Sequence, residues 1–244
     1  MMRNGLMALI ANNRGRGMFR AESTGQDEAT VWLYDVIVSD DYFGGVSAIN
    51  LAKELAALRD KGTIHLRVNS PGGDVFAGRA MEQAIREHPS NIVAHIDGYA
   101  ASAASYVALA ADEVRIAPGG MYMIHKAWTL GWGNSEDLLK TAGLLEQIDE
   151  SLVKTYAKAT GQDADQLREW MRAETWFSAE DAVKYGFADS IADGGTSNRA
   201  AWDLSAYDRP PEANQPDPEQ PQEQPAPAPQ FDRAAALRRL AVAA

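Results

Sequence analysis

Two hydrophobic periods take turns along most of this chain. Residues 29–38, ATVWLYDVIV, are rich in branched and aromatic side chains and predict a strand. Residues 46–60, VSAINLAKELAALRD, carry apolar positions at helical spacing. TIHLRVN at 63–69 predicts the next strand, SPGGD a turn, and VFAGRAMEQAIREH at 75–88 a helix that ends before Pro89. NIVAHID at 91–97 predicts a strand and ASAASYVALAA at 101–111 a helix, with short strands in DEVRIAP and MYMIHKA. Asn134 then offers an N-cap with Glu136 and Asp137 in the first turn, opening a helix over Ser135–Thr160 that Gly161 stops. Its Leu138, Leu145 and Leu152 recur every seven residues, with Leu144 and Ile148 beside them. A further helix at 164–174 precedes the segment 176–191. Repeated strand–helix units of this kind predict an α/β domain whose sheet is covered by helices; no internal sequence repeat accompanies them.

The pattern lapses at both ends. The first residues, MMRNGLMALIANNRGRGMFR, are basic and lack acids; the apolar run LMALIA is short for a secretion signal and no small-residue cleavage site follows it. Residues 1–25 are therefore expected to be a flexible or loosely docked leader, and residues 26–200 the folded domain. From Asp203 the chain reads DLSAYDRPPEANQPDPEQPQEQPAPAPQ, rich in Pro, Gln and acid with little to bury. Residues 201–230 are thus expected to be a disordered linker, and the helix formers of 231–244 a short terminal helix, marginal by itself.

Composition narrows the function. Cysteine is absent, which removes disulfides, thiolate metal sites and a cysteine nucleophile. A net charge of -11 argues against a general nucleic-acid binder. No stretch approaches the roughly 18–20 apolar residues of a membrane span.

Two strand-to-helix turns have room for chemistry. In Asn69-Ser70-Pro71-Gly72-Gly73-Asp74, adjacent glycines let the backbone take positive φ and approach a ligand, while the helix start aims free N–H groups out of the turn. That makes an anion site or an oxyanion hole; a plain tight turn explains the glycines as well. In GYAASAAS at 98–105, Ser102 falls in the first turn of a helix, where the next amide, Ala103, is available to a developing oxyanion. Capping and close packing of small residues account for the same serine, and fit Ser105 better. A serine nucleophile needs a base. His65 and His95 are mid-strand and His88 ends a helix; His125 ends the strand MYMIH just before the loop KAWTLGWGN. Chain order alone does not choose the carboxylate that would orient it.

Together these segments resemble the ClpP family of serine proteases from about Val31 to Asp193. VNSPGGDVFAG resembles the family's oxyanion segment, GYAASAAS its nucleophile segment, MIHKA its Met-Ile-His signature and TWFSAEDAVKYGFADSI its closing segment. The resemblance implies a ClpP/crotonase-like fold of stacked ββα units with a projecting long helix, Ser135–Thr160. It implies Ser102 as nucleophile, His125 as base, and the N–H groups of Gly73 and Ala103 as oxyanion hole. Substrate would bind extended between Gly72-Gly73 and the chain after His125, along Ala127 and Trp128. The family's third residue, an aspartate four before the closing Ser-Ala, is here Glu174, with Thr175 where a basic residue is usual. Glu174 is taken as the orienting carboxylate ahead of Asp181 and Asp189.

Neither a metal nor a cofactor is implied. The implied partners are copies of the chain, in a single or double homo-oligomeric ring, and neither nucleic acid nor membrane. The added tail makes the chain most like the ClpP-like head-maturation proteases of tailed bacteriophages. These work without an ATPase on scaffold and major capsid proteins, in the prohead within the bacterial cytoplasm. The alternatives are a housekeeping ClpP subunit serving an ATPase, an inactive ring or scaffold subunit, a crotonase-like acyl-CoA enzyme, and a Ser–Lys peptidase using Lys126 or Lys140.

Overall fold

The computed structural model describes residues 5–193 and 202–211. Its centre is a sheet in which β2 (Glu28–Tyr34), β5 (Thr63–Ser70), β6 (Asn91–Ala101), β7 (Glu113–Ile116) and β10 (Ser190–Ile191) run parallel in that order. Helices α2 (Ala48–Ala57), α3 (Val75–Arg86) and α4 (Ala103–Ala108) connect them. The predicted strand over 29–38 divides into β2 and a short β3 (Ile37–Val38), which pairs with β4 (Val46–Ser47). The α/β arrangement expected from the alternating periods is therefore the one formed.

Strand β6 is the hinge of the architecture. Its first half pairs with β7, Val93 to Ile96 against Glu113 to Ile116. Its second half pairs with β8 (Met121–Ile124), Tyr99 to Ala101 against Met121 to Met123. β8 in turn pairs antiparallel with β9 (Thr175–Phe177), and α7 (Ala179–Lys184) follows. One strand feeding two neighbours opens a fork at its C-terminal end, beyond strand ends where α/β folds place ligands.

Alternate side chains leave a strand on opposite faces, and here the faces have different covers. Ile96, Ala100, Tyr122 and Ile124 join the main core under the helices. Tyr99, Ala101 and Met123 face the other way and meet Leu9, Trp202, Leu204 and Tyr207. On that same face, farther back, β5 and β6 carry polar side chains: Arg67 holds Asp97 bidentately at 2.7 and 2.5 Å, and His65 Nδ1 is 3.0 Å from His95 Nε2.

The long helix α5 (Ser135–Thr160) has its capping box at Asn134 and Asp137 and a left-handed Gly161 at its end. Its second half buries Leu152, Val153 and Tyr156, while Leu138, Leu139 and Leu144 of the first half stand exposed. Helix α6 (Ala164–Arg172) packs beside it.

Both chain ends depart from expectation. Within the leader predicted over 1–25, residues 5–13 form α1 (Gly5–Asn13), with Leu9 and Asn13 buried, and β1 (Met18–Ser23) adds antiparallel to β2. Within the linker predicted over 201–230, residues 202–211 form a docked strap. Trp202, Leu204 and Tyr207 are buried, and Asn13 binds the backbone of Asp203 through Nδ2→O at 2.9 Å and N→Oδ1 at 2.7 Å. Composition averaged over the tail hid these three apolar residues, whose burial offsets the ordering cost of a short segment. The rest of the linker and the helix predicted over 231–244 lie outside the described residues.

Candidate active site

Ser102 follows the last residue of β6, and the β6–β8 register brings His125 beside it. Ser102 donates its backbone N–H to Met123 O at 2.9 Å, so the two strand ends stay joined at the fork. Ser102 Oγ is then 2.7 Å from His125 Nε2. Ser102 holds φ 52 and ψ -120 and, although it occupies the N-cap position of α4, its side chain makes no capping bond. A hydroxyl within bonding reach of an imidazole suits a nucleophile, and a helix cap needs neither that contact nor this costly backbone region. Ser105 takes the packing role instead: it is fully buried, donates to Ser102 O at 2.5 Å and lies 2.6 Å from Tyr156 Oη.

The glycine pair is shaped by two close approaches. A Cβ on Gly72 would lie 2.4 Å from Ala101 O and 2.7 Å from Ser102 Cβ; one on Gly73 would lie 1.9 Å from Ile37 O. The segment is stitched to β3 by Ile37 N→Gly72 O and Asp74 N→Ile37 O, both 2.8 Å. In a parallel ladder those bonds use the groups of residues 72 and 74 and turn the N–H of residue 73 to the other side. Asp74 caps α3 by accepting from Ala77 N at 2.7 Å. Ala103, as first residue of α4, has no intrahelical acceptor for its N–H.

A cavity of about 300 Å³ opens over the pair, lined by Gly73, Ser102, His125, Ala127 and Trp128 with apolar walls from Val75, Leu145, Ile148 and Tyr207. Gly72 packs behind it rather than lining it. Helix α1 contributes Leu6 and Leu9 to the same cavity. Beyond His125 two amides are already engaged, Lys126 N by Met171 O at 3.1 Å and Ala127 N by Asp149 Oδ1 at 2.8 Å. Lys126 Nζ pairs with Asp149 at 3.2 Å and Lys140 with Asp137 at 3.8 Å. The Ser–Lys alternative thus finds both lysines tied to carboxylates and the serine bonded to histidine.

Glu174 is placed differently from the expectation. The β8–β9 ladder ends with Ile124 facing Thr175, just before which stands Glu174. Its backbone, however, is left-handed at φ 49, and its two carboxylate oxygens accept from Asp208 N at 2.9 Å and Arg209 N at 2.6 Å. Among the described residues no hydrogen bond or ion pair joins Glu174 to His125. The glutamate carboxylate grips the strap instead.

Burial pushes the His125 imidazole down to about 4, opposed by the negative charge of Asp208. The Tyr207 ring meets His125 edge-on at 5.4 Å, and its hydroxyl donates to Pro71 O at the oxyanion segment. Asp181 N is capped by Ser178, and Asp189 accepts from Val114 N at 2.7 Å, so both lie in the closing fold rather than at the site. The strap residues Tyr207 and Asp208 are the ones that pattern reading did not single out; the apolar triplet Trp202, Leu204, Tyr207 was the signal available.

A family model of Clp protease matches residues 35–195. The chain belongs to the Clp protease family. Proteolytic subunit 1 of the ATP-dependent Clp protease from Leifsonia xyli subsp. xyli is 32% identical over 139 residues, covering 56% of this chain and 71% of that protein. Subunit 2 from Tropheryma whipplei is 30% identical over 166 residues, 67% of this chain and 91% of that one. A solved structure of a ClpP1 mutant from Listeria monocytogenes aligns with a TM-score of 0.60 at 25% identity, over 68% of this chain and 91% of that one. The fold is thus ClpP-like and the chain is a serine peptidase of that type. These relatives carry the names of ATP-dependent proteolytic subunits, which favours the housekeeping alternative over the head-maturation reading.

Proposed function

We propose that the chain is the peptidase subunit of a Clp-type assembly, cutting extended peptides beside an apolar side chain. Ser102 Oγ attacks the scissile carbonyl as His125 Nε2 takes its proton, and the N–H groups of Gly73 and Ala103 receive the oxyanion. Each such donor is typically worth ~3 kcal/mol of barrier. His125 later returns the proton to the leaving amine, and water repeats the cycle on the acyl-enzyme. The apolar cavity walls take the side chain preceding the cut. Copies of the chain associate through the exposed leucines of α5's first half, and the relatives' names support an ATPase as the partner that feeds the site.

The observation that carries this reading is the 2.7 Å contact between Ser102 Oγ and His125 Nε2. A fluorophosphonate probe tests it: the wild type and Ser105→Ala label, while Ser102→Ala and His125→Ala do not. Labelling that survives Ser102→Ala refutes it.

One observation favours the second reading, an ATP-independent head-maturation protease acting on scaffold and capsid proteins. Helix α1 and the strap both reach the catalytic cavity yet lie outside the residues that the family model matches. Cleavage of a folded capsid-type substrate by the chain alone, without nucleotide or ATPase, separates the two.

A further inference from the structure

The His125 imidazole stands between two cavities. Its Nε2 serves Ser102 in the first, and among the described residues no hydrogen bond fills its Nδ1. The second cavity, lined by His125, Glu174, Ala206 and Asp208, lies between the segment after His125, the end of α6 with Glu174, and the strap. In a Ser–His pair, this is where a carboxylate must act to hold the tautomer and stabilise the imidazolium.

The charged groups around it are few. Lys126 is paired with Asp149 and Arg172 with Glu169. Arg209 donates to Ala173 O at 3.0 Å. Both oxygens of Glu174 are held by strap amides. Asp208 is the carboxylate whose charge acts on His125. It is carried there on a docked segment: Tyr207, its neighbour, is buried against His125 and Trp176, and Trp202 Nε1 donates to Asn69 Oδ1 at 3.1 Å.

We propose that Asp208, brought in by the strap, is the carboxylate that orients and stabilises His125, and that Glu174 is the bracket that holds Asp208 in place. The acid would then come from a segment outside the Clp match instead of from Glu174 within it. This rests on the Ser102–His125 peptidase reading. Asp208 is a positioning residue here: it acts through His125 and does not touch substrate.

The test is the pH dependence of fluorophosphonate labelling of the full chain, compared across Asp208→Asn, Asp208→Glu, Glu174→Gln and wild type, with melting temperatures alongside. Activity needs neutral His125, and the Asp208 charge favours the protonated form. Asp208→Asn should therefore move the acid limb to lower pH and slow labelling at neutral pH by roughly ten- to a hundredfold. That is less than the ~10⁴ lost with a fully buried acid, since Asp208 is exposed and solvent-screened. Asp208→Glu should restore the limb. Glu174→Gln should slow labelling less and leave the limb closer to wild type. A wild-type limb and rate in Asp208→Asn, or a limb that moves only in Glu174→Gln, overturns the proposal while leaving the peptidase reading standing. A wild type that never labels removes both.

Discussion

The nucleophile–base pair and the strap meet at one imidazole, yet they are held there by different physics. Ser102 and His125 sit on adjacent strand ends, and their separation follows from a backbone ladder that cannot slip by one residue without turning both side chains to the wrong face. The strap has no ladder. It is held by three buried side chains, the Asn13 bonds and the Glu174 carboxylate. A region fixed by register tolerates little. A region fixed by side-chain docking can be added to an existing fold and is open to loosening.

The largest expected break is in the register-held pair. Ser102→Ala or His125→Ala should lower peptide hydrolysis by on the order of 10⁶, with the melting temperature little changed, as steady-state kinetics and calorimetry would show. Gly73→Ala comes next. Its Cβ would collide with Ile37 O and its φ of 149 disfavours any side chain, so the oxyanion segment must shift. A loss on the order of 10²–10³ in kcat is expected, with a lower melting temperature.

Strap variants sharpen the contrast. Trp202→Ala removes a nearly fully buried indole and its bond to Asn69. Removing such a side chain typically costs ~3–5 kcal/mol. Because the strap docks on a finished sheet, that cost should appear as strap release: rapid proteolysis near residues 202–211 and slower catalysis, with the body's core amides still protected from hydrogen exchange. If the core exchanges as fast as the strap, the two regions are one cooperative unit and the contrast fails.

Acid provides a milder probe. Burial holds both His125 and His95 down to about 4, against a usual 6.5. The unfolded chain then binds more protons than the native one between those values, so stability is full above about 6.5 and falls as pH drops toward 4. His95→Gln should flatten part of that fall, a few degrees of melting temperature, while His125→Gln should flatten another part and abolish activity as well. The smallest effect belongs to Tyr207→Phe, which loses the hydroxyl's bond to Pro71 O; about 1 kcal/mol of strap docking is expected.

Most of the body was legible beforehand because its signals are local. The branched, apolar runs of β5 and β6, the Gly72-Gly73 turn and the Asn134 to Gly161 helix each announce themselves within a few residues. Ser102 and His125 were legible as candidates from their turns and strand end, and the Clp resemblance paired them. The contacts of Glu174 were not legible, because a sequence position shows neither a φ of 49 nor where a longer arm ends. The strap was missed because its anchors lie in a segment whose average composition is that of a linker.

By itself, the sequence determined the α/β order, the family, and the presence of a hydroxyl, an imidazole and two candidate amides, at Gly73 and Ala103, near strand ends. Tertiary structure alone decided which carboxylates come beside the imidazole. Glu174 and Asp208 are 34 positions apart and chemically alike, and only the packing of Trp202, Leu204 and Tyr207 on the sheet brings both to the cavity at His125.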